Sequence, residues 1–259
     1  MTDPQSAYGD PSSGSVAGYG PATYGDRVAD VYDDLYGDAF DIDGTLQTLE
    51  GLAAGGRVLE LGIGTGRVAL PLARKGVEIH GVDSSEAMVA RMRAKPGGSD
   101  IPVTIGDFGE VPVEGSFDLV YIVFNTLFAL GSQDEQITCF ENVARRLSDD
   151  GLFLIECFVP DLTRFDRNQR VSVGGMKVDG VMVDCALHNP AEQSVFSQHV
   201  LISEQGTRLV PVRLRYAYPS ELDLMARLTG LRLRDRWDGW RHQPYGSDSQ
   251  THVSVYEKA

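Results

Sequence analysis

The stretch Val58-Leu59-Glu60-Leu61-Gly62-Ile63-Gly64-Thr65-Gly66-Arg67, followed by the run from Val77 to Asp83, decides the fold. Val58, Leu59 and Leu61 make the short apolar run of a strand covered on both faces. Glycines at alternate positions let the chain turn tightly and approach a ligand where a Cβ would collide. A helix opening near Gly66 presents unpaired N–H groups to that ligand. A second strand then ends in Asp83, about twenty residues on, where strand–turn–helix–strand units place an acid on ribose hydroxyls. Asp83 also reads as a cap for the helix that follows.

The glycine spacing separates two kinds of cofactor. A dinucleotide site reads G-x-G-x-x-G, with a pyrophosphate on the helix N-terminus. Here the third glycine comes one position early, and Glu60 stands just before the first. An acid there repels a pyrophosphate and suits a ligand carrying an ammonium group. The pattern E-x-G-x-G-x-G resembles motif I of the class I S-adenosylmethionine-dependent methyltransferases. Two further segments match that family in order: Gly106-Asp107-Phe108 after a strand over 101–105, and Phe117 to Asn125 as the fourth strand. The resemblance covers Arg57 to Pro160 closely and the tail more loosely.

The resemblance implies S-adenosyl-L-methionine as cofactor and a set of residues around it. Gly62, Gly64 and Gly66 would form the turn, with Glu60 and Arg67 at the methionine end and Asp83 with Ser84 at the ribose. Asp107, Phe108 and Met88 would meet the adenine. Phe124, at the end of the fourth strand, and Tyr24, near the start of an N-terminal lid, complete the cofactor set. The implied fold is α/β: a Rossmann-like, seven-stranded, mostly parallel sheet with a helical lid and an inserted antiparallel β-sheet.

The rest of the chain fits this plan. Residues 1–20 are rich in Gly, Ser, Pro and Asp, and we expect disorder there. Residues 21–56 should form the helical lid: Val28, Val31, Tyr32, Leu35 and Tyr36 recur on one helical face, and a second helix covers Asp43 to Leu52. Tyr32 and Tyr36 read as its core. Residues 57–160 alternate strand and helix, as a parallel sheet requires. Within 161–217 the alternation breaks into three strand-like runs, Val181–Leu187, Val195–Ile202 and Leu209–Tyr216, which imply an antiparallel insert used as a substrate cap or a homodimer contact. Residues 218–259 supply a helix from Ser220 to Thr229 and the last two strands. The insert and the Tyr-x-x-Pro-Ser-Glu-Leu tail resemble the small-molecule methyltransferases, nearest to deoxysugar N,N-dimethyltransferases.

Acceptor residues follow from where parallel sheets bind ligands, beyond the strand carboxyl ends. That rule selects Asn125, Glu156 and Phe158, and the loop after the sixth strand with Trp237, Trp240, His242 and Tyr245, ending at His252. The same loop also reads as a surface segment pinned by its tryptophans. Glu156, His242 and His252 are the candidate bases. From the insert, His199 and Arg213 are candidate substrate contacts.

Composition excludes several classes. A net charge of −14 leaves no basic surplus for nucleic acid. The cysteines at 139, 157 and 185 lack metal-ligand spacing and read as reduced thiols of a cytoplasmic protein. No run reaches the length of a membrane span. The expected activity is in-line methyl transfer to a small-molecule amine, hydroxyl or activated carbon. Methylation of a macromolecule, a non-catalytic S-adenosylmethionine-binding protein and a nicotinamide oxidoreductase are the competing readings.

Overall fold

The computed structural model describes residues 18–37 and 41–259, so the tail expected to be disordered lies outside the described residues as far as residue 17. Short helices α1 (Thr23–Val28) and α2 (Tyr32–Tyr36) lead into α3 (Ile42–Ala53), whose first turn is capped by Asp41, accepting from Gly44 N–H. The alternating core follows: β1 (Val58–Leu61), α4 (Ala69–Arg74), β2 (Ile79–Asp83), α5 (Glu86–Arg93), β3 (Val103–Ile105), β4 (Phe117–Ile122), α6 (Gln133–Arg146) and β5 (Leu147–Phe158). An insert of four strands comes next, β6 (Gln169–Lys177), β7 (Gly180–Asn189), β8 (Ser194–Ser203) and β9 (Gly206–Arg215). Helix α7 (Pro219–Leu228) and strands β10 (Leu231–Trp237) and β11 (Thr251–Lys258) complete the chain.

The main sheet has the order β10-β11-β5-β4-β1-β2-β3. β11 alone runs against its neighbours, so β1, β2, β4, β5 and β10 all end on one edge. Alternation along the strands fills both faces. Leu59, Leu61, Val120, Phe153 and Tyr256 pack against α6 and α7. Val58, Leu119, Tyr121, Leu154 and Val255 pack against α3, α4 and α5. Phe140 of α6 meets Phe153 and Tyr256 edge-on, at 5.2 and 5.7 Å between ring centroids.

Three local expectations change in detail. The helix after the glycine turn starts at Ala69, because 64–68 are used in the turn; Pro71 then falls in the first helical turn, where no N–H partner is lost. Ser85, not Asp83, caps α5, its Oγ accepting from Met88 N–H. The insert has four strands where three were expected. The additional strand is edge strand β6, which carries Gly174-Gly175 at a register shift between Val173 and Gly175, where a bulge is tolerated.

Candidate active site

A cavity of about 480 Å³ opens at the carboxyl edge of the main sheet, roofed by α1 and α2 and walled by β8 and β9 of the insert. Its floor is the turn between β1 and α4. Gly62, Gly64 and Gly66 adopt φ of 78°, 56° and 73°, a region costly for residues with a Cβ. A Cβ on Gly62 would stand 2.5 Å from Thr126 Cγ2, and one on Gly66 2.5 Å from Met92 Cγ. Gly66 therefore seats α4 against α5 and does not line the cavity.

Two buried carboxylates frame the turn. Asp83 accepts from Gly64 N–H at 2.7 Å through Oδ2 and from Ser85 N–H at 2.8 Å through Oδ1. Burial raises its pKa, opposed by those N–H donors. The turn and the second strand are thus joined through one side chain that also lines the cavity. Glu60 is 3% exposed and accepts from Tyr121 O–H at 2.8 Å. Burial pushes its carboxyl up to about 8, against the pull of Tyr121 and Arg67. A neighbouring cation would restore its charge. Arg67 is hydrogen-bonded to the Tyr32 hydroxyl, and its guanidinium lies 5.0 Å from the Phe124 ring centroid.

The loop after β4 is strained. Phe124 and Asn125 both occupy the left-handed region, at φ 60° and 62°, at a cost of roughly 1–3 kcal/mol each. Glu156 holds the bend: its Oε2 accepts from Phe124 N–H at 2.7 Å, and its carbonyl accepts from Asn125 N–H at 3.2 Å. Asn125 Oδ1 accepts in turn from Phe158 N–H at 2.7 Å. Farther along the edge, Asp107 and Phe108 line the cavity, with Asp107 capping a turn through Gly109 N–H.

The lid is fastened to core and insert alike. Ser85 O–H donates to Asp26, Thr65 O–H and Lys95 reach Asp33, and Arg208 of β9 pairs with Asp30 at 2.5 Å. Tyr24 O–H bonds to Tyr36, and burial raises both phenols.

Of the residues selected from sequence for the cofactor, Tyr24, Glu60, Gly62, Gly64, Arg67, Asp83, Ser84, Met88, Asp107, Phe108 and Phe124 all line this one cavity. So do Asn125, His199 and Arg213 from the acceptor set. Sequence reasoning missed Tyr19, Tyr32, Tyr36 and Glu135, which also line it. The signal for two of the tyrosines was present: Tyr32 and Tyr36 stand four residues apart on one face of α2. Reading that face as core overlooked that tyrosine carries a polar end fit for a cavity wall.

The other acceptor candidates lie elsewhere. The segment between β10 and β11 leaves the correct edge but folds back over α3. His242 stacks on Trp237 at 3.9 Å, with Nε2 3.2 Å from Thr48 Oγ1. Thr48 O–H also donates to the Trp240 carbonyl at 3.0 Å, and Arg241 pairs with Asp41. Trp237 and Trp240 pack on the cluster around Leu49 and Val253. Tyr245 lies beside Arg236, at 5.6 Å, and Phe158 packs edge-on against Phe128. His252 is 0% exposed, with Nδ1 2.8 Å from Ser254 Oγ. Burial, aided by Arg236, depresses it to about 3. Glu156 is used beneath the Phe124 bend and receives the Trp240 indole N–H; burial raises its pKa. None of these residues lines the cavity, which corrects the expectation that Glu156, His242 or His252 is the base.

Comparison with known proteins agrees with this geometry. Residues 58–151 match the family model described as a methyltransferase domain. The structure superposes on the CcbJ methyltransferase from Streptomyces caelestis with a TM-score of 0.87 and 42% identity, covering 93% of this chain and 100% of that one. The cypemycin N-terminal methyltransferase of a Streptomyces species is 27% identical over 241 residues, 88% of this chain and 98% of its own length. The sugar N-methyltransferase KedS8 from Streptoalloteichus shares the fold at a TM-score of 0.66 and 18% identity, covering 94% of this chain and 100% of that one. The chain belongs to the class I S-adenosylmethionine-dependent methyltransferases. It is an enzyme of that class, and S-adenosylmethionine is its cofactor. The residues present fit that group: a glycine turn at positive φ on the cavity wall, a buried acid suited to an ammonium, and a second acid at the end of β2.

Proposed function

We propose that this methyltransferase methylates a small-molecule acceptor bound against the inner face of the insert. The observation that carries this reading is a single cavity joining two chemistries. Its lining combines Glu60, Asp83 and the glycine turn with tyrosines, His199 and Arg213. Aromatic walls with a few convergent polar groups suit a small ligand. The relatives named above, which by their names include a sugar and a peptide-terminus enzyme, favour a nitrogen acceptor.

The cofactor, when bound, supplies a methyl group made electrophilic by the sulfonium. The chain's own work is positioning and exclusion of water. In our reading Asp83, with Ser84 beside it, takes the ribose hydroxyls, and Asp107, Phe108 and Met88 take the adenine. Glu60 faces the ammonium and Arg67 the carboxylate of the methionine end. Tyr24 and Tyr36, tied to each other, close the site from above and keep water out. Asn125 and Arg213 orient the acceptor.

The net charge of −14 speaks against nucleic acid as acceptor. Three unpaired cysteines support a reducing, cytoplasmic setting, and among the described residues no helix is long and apolar enough to cross a membrane. The outer face of the insert exposes Val171, Val173, Met176 and Leu187, and we place a homodimer contact there.

The test is methyl transfer from radiolabelled S-adenosylmethionine to a panel of aminosugars, amino-acid amides and phenols, with transfer RNA and a mixed peptide pool as controls. Label entering only the macromolecules would overturn the reading.

A further inference from the structure

His199 enters the cavity from a strand of the insert, far in sequence from the glycine turn. In the register of β7 and β8 it stands directly opposite Asp184. Cross-strand neighbours on one face meet closely, and Nδ1 of His199 lies 3.0 Å from Asp184 Oδ1. Asp184 is 6% exposed. Its other oxygen accepts from Arg170 on β6, whose guanidinium lies over the Phe165 ring. The carboxyl is desolvated, yet His199 and Arg170 hold it below the usual range. Tyr36 of α2, packed on this side of the insert, feels the Asp184 charge and itself lines the cavity.

At 3.0 Å, Nδ1 of His199 and Oδ1 of Asp184 are not aligned as a hydrogen bond; a small turn of the ring that aligns them selects the tautomer protonated on Nδ1 and leaves Nε2 as the ring nitrogen with a free lone pair. No other histidine of this chain lines the cavity: His242 and His252 are placed as described, His188 bonds to Tyr216, and His80 bonds to Thr104.

We propose that His199 is the general base of this enzyme and Asp184 its positioning residue, acting on an acceptor N–H or O–H. The inference rests on the small-molecule methyltransferase reading. The acceptor's lone pair forms the new bond to the methyl carbon while the carbon–sulfur bond breaks and its electron pair stays on sulfur. The proton released by the acceptor passes to His199 Nε2, and the Asp184 carboxylate balances the imidazolium charge. Without Arg170 the carboxylate would be free to turn from the ring, so Arg170 fixes Asp184 as Asp184 fixes His199.

Two measurements test this. In full-length protein with ¹⁵N-labelled histidine and bound S-adenosylhomocysteine, neutral His199 should carry its proton on Nδ1, and Asp184→Asn should abolish that preference. A neutral ring protonated on Nε2 in the unsubstituted protein would overturn the proposal whatever the turnover. On an amine or phenol that the enzyme methylates, His199→Gln should lower kcat about 100-fold at neutral pH, with the deficit shrinking as pH rises. Cofactor affinity should stay within about twofold. An unchanged kcat would overturn the assignment of the base, whereas loss of cofactor binding by the unsubstituted protein would strike the methyltransferase reading instead.

Discussion

Glu156 accepts a 2.7 Å hydrogen bond from the backbone N–H of Phe124, a residue held in the left-handed region at φ 60°. A carboxylate at the end of β5 thus shapes the loop that lies along the cavity. Glu156→Gln keeps an acceptor oxygen and should preserve both fold and most of kcat. Glu156→Ala leaves a buried N–H without a partner and should cost about 1–3 kcal/mol in urea unfolding. A hundredfold loss of kcat in Glu156→Gln, with a normal unfolding midpoint, would make Glu156 the base after all.

Glu60 should make cofactor binding depend on pH. Its folded pKa lies near 8, above its usual value of 4.5. Without cofactor, therefore, folding favours the protonated form, and stability declines as pH rises between those values. Binding an ammonium beside it should expel that proton. Calorimetry at pH 7 in buffers of different ionisation enthalpy should show close to one proton released per cofactor, and none in Glu60→Gln. Equal heats in every buffer would mean that Glu60 does not face the ammonium.

Asp83→Ala should weaken cofactor binding by about 1.5–3 kcal/mol. Because Asp83 also accepts from Gly64 and Ser85 N–H, this substitution should lower the melting temperature too. Asp83→Asn, which keeps acceptor capacity, should recover most of the stability and less of the affinity. Unchanged affinity in both variants would remove the carboxylate from the cofactor site.

Trp240→Ala and His242→Ala should now act on stability and not on chemistry. Both side chains sit on the α3 side, and Trp240 also reaches Glu156. A loss of up to about 3 kcal/mol is expected for the tryptophan, with kcat of the folded fraction changed only a few-fold. A large kcat effect at constant stability would return this segment to the acceptor site.

Sedimentation velocity tests the dimer contact. Val171→Asp with Val173→Asp places charges on the exposed apolar face of β6 and should shift a dimer of the unsubstituted protein to monomer while leaving cofactor affinity intact. A monomer before substitution would remove the contact.

Much of the molecule was legible before any coordinates. The strand, the glycine turn and Asp83 are short-range features whose meaning lies in spacing, and backbone conformation restricts them to few alternatives. The alternation of strand and helix through Phe158, and the hairpins of the insert, follow from periodicities of the same local kind. The tertiary structure decided what depends on contacts between distant parts of the chain. Whether the segment after Trp237 turns into the cavity or onto α3 rests on Thr48 meeting the Trp240 carbonyl, 192 positions apart. Which histidine lines the cavity rests on how the insert lies across the sheet edge, with Arg208 fastened to Asp30 of the lid, 178 positions apart. No local pattern encodes these choices, because they arise from packing one finished element against another; residue spacing picked out Glu60, Gly62, Gly64 and Asp83, while only the assembled fold brought His199 to the same cavity.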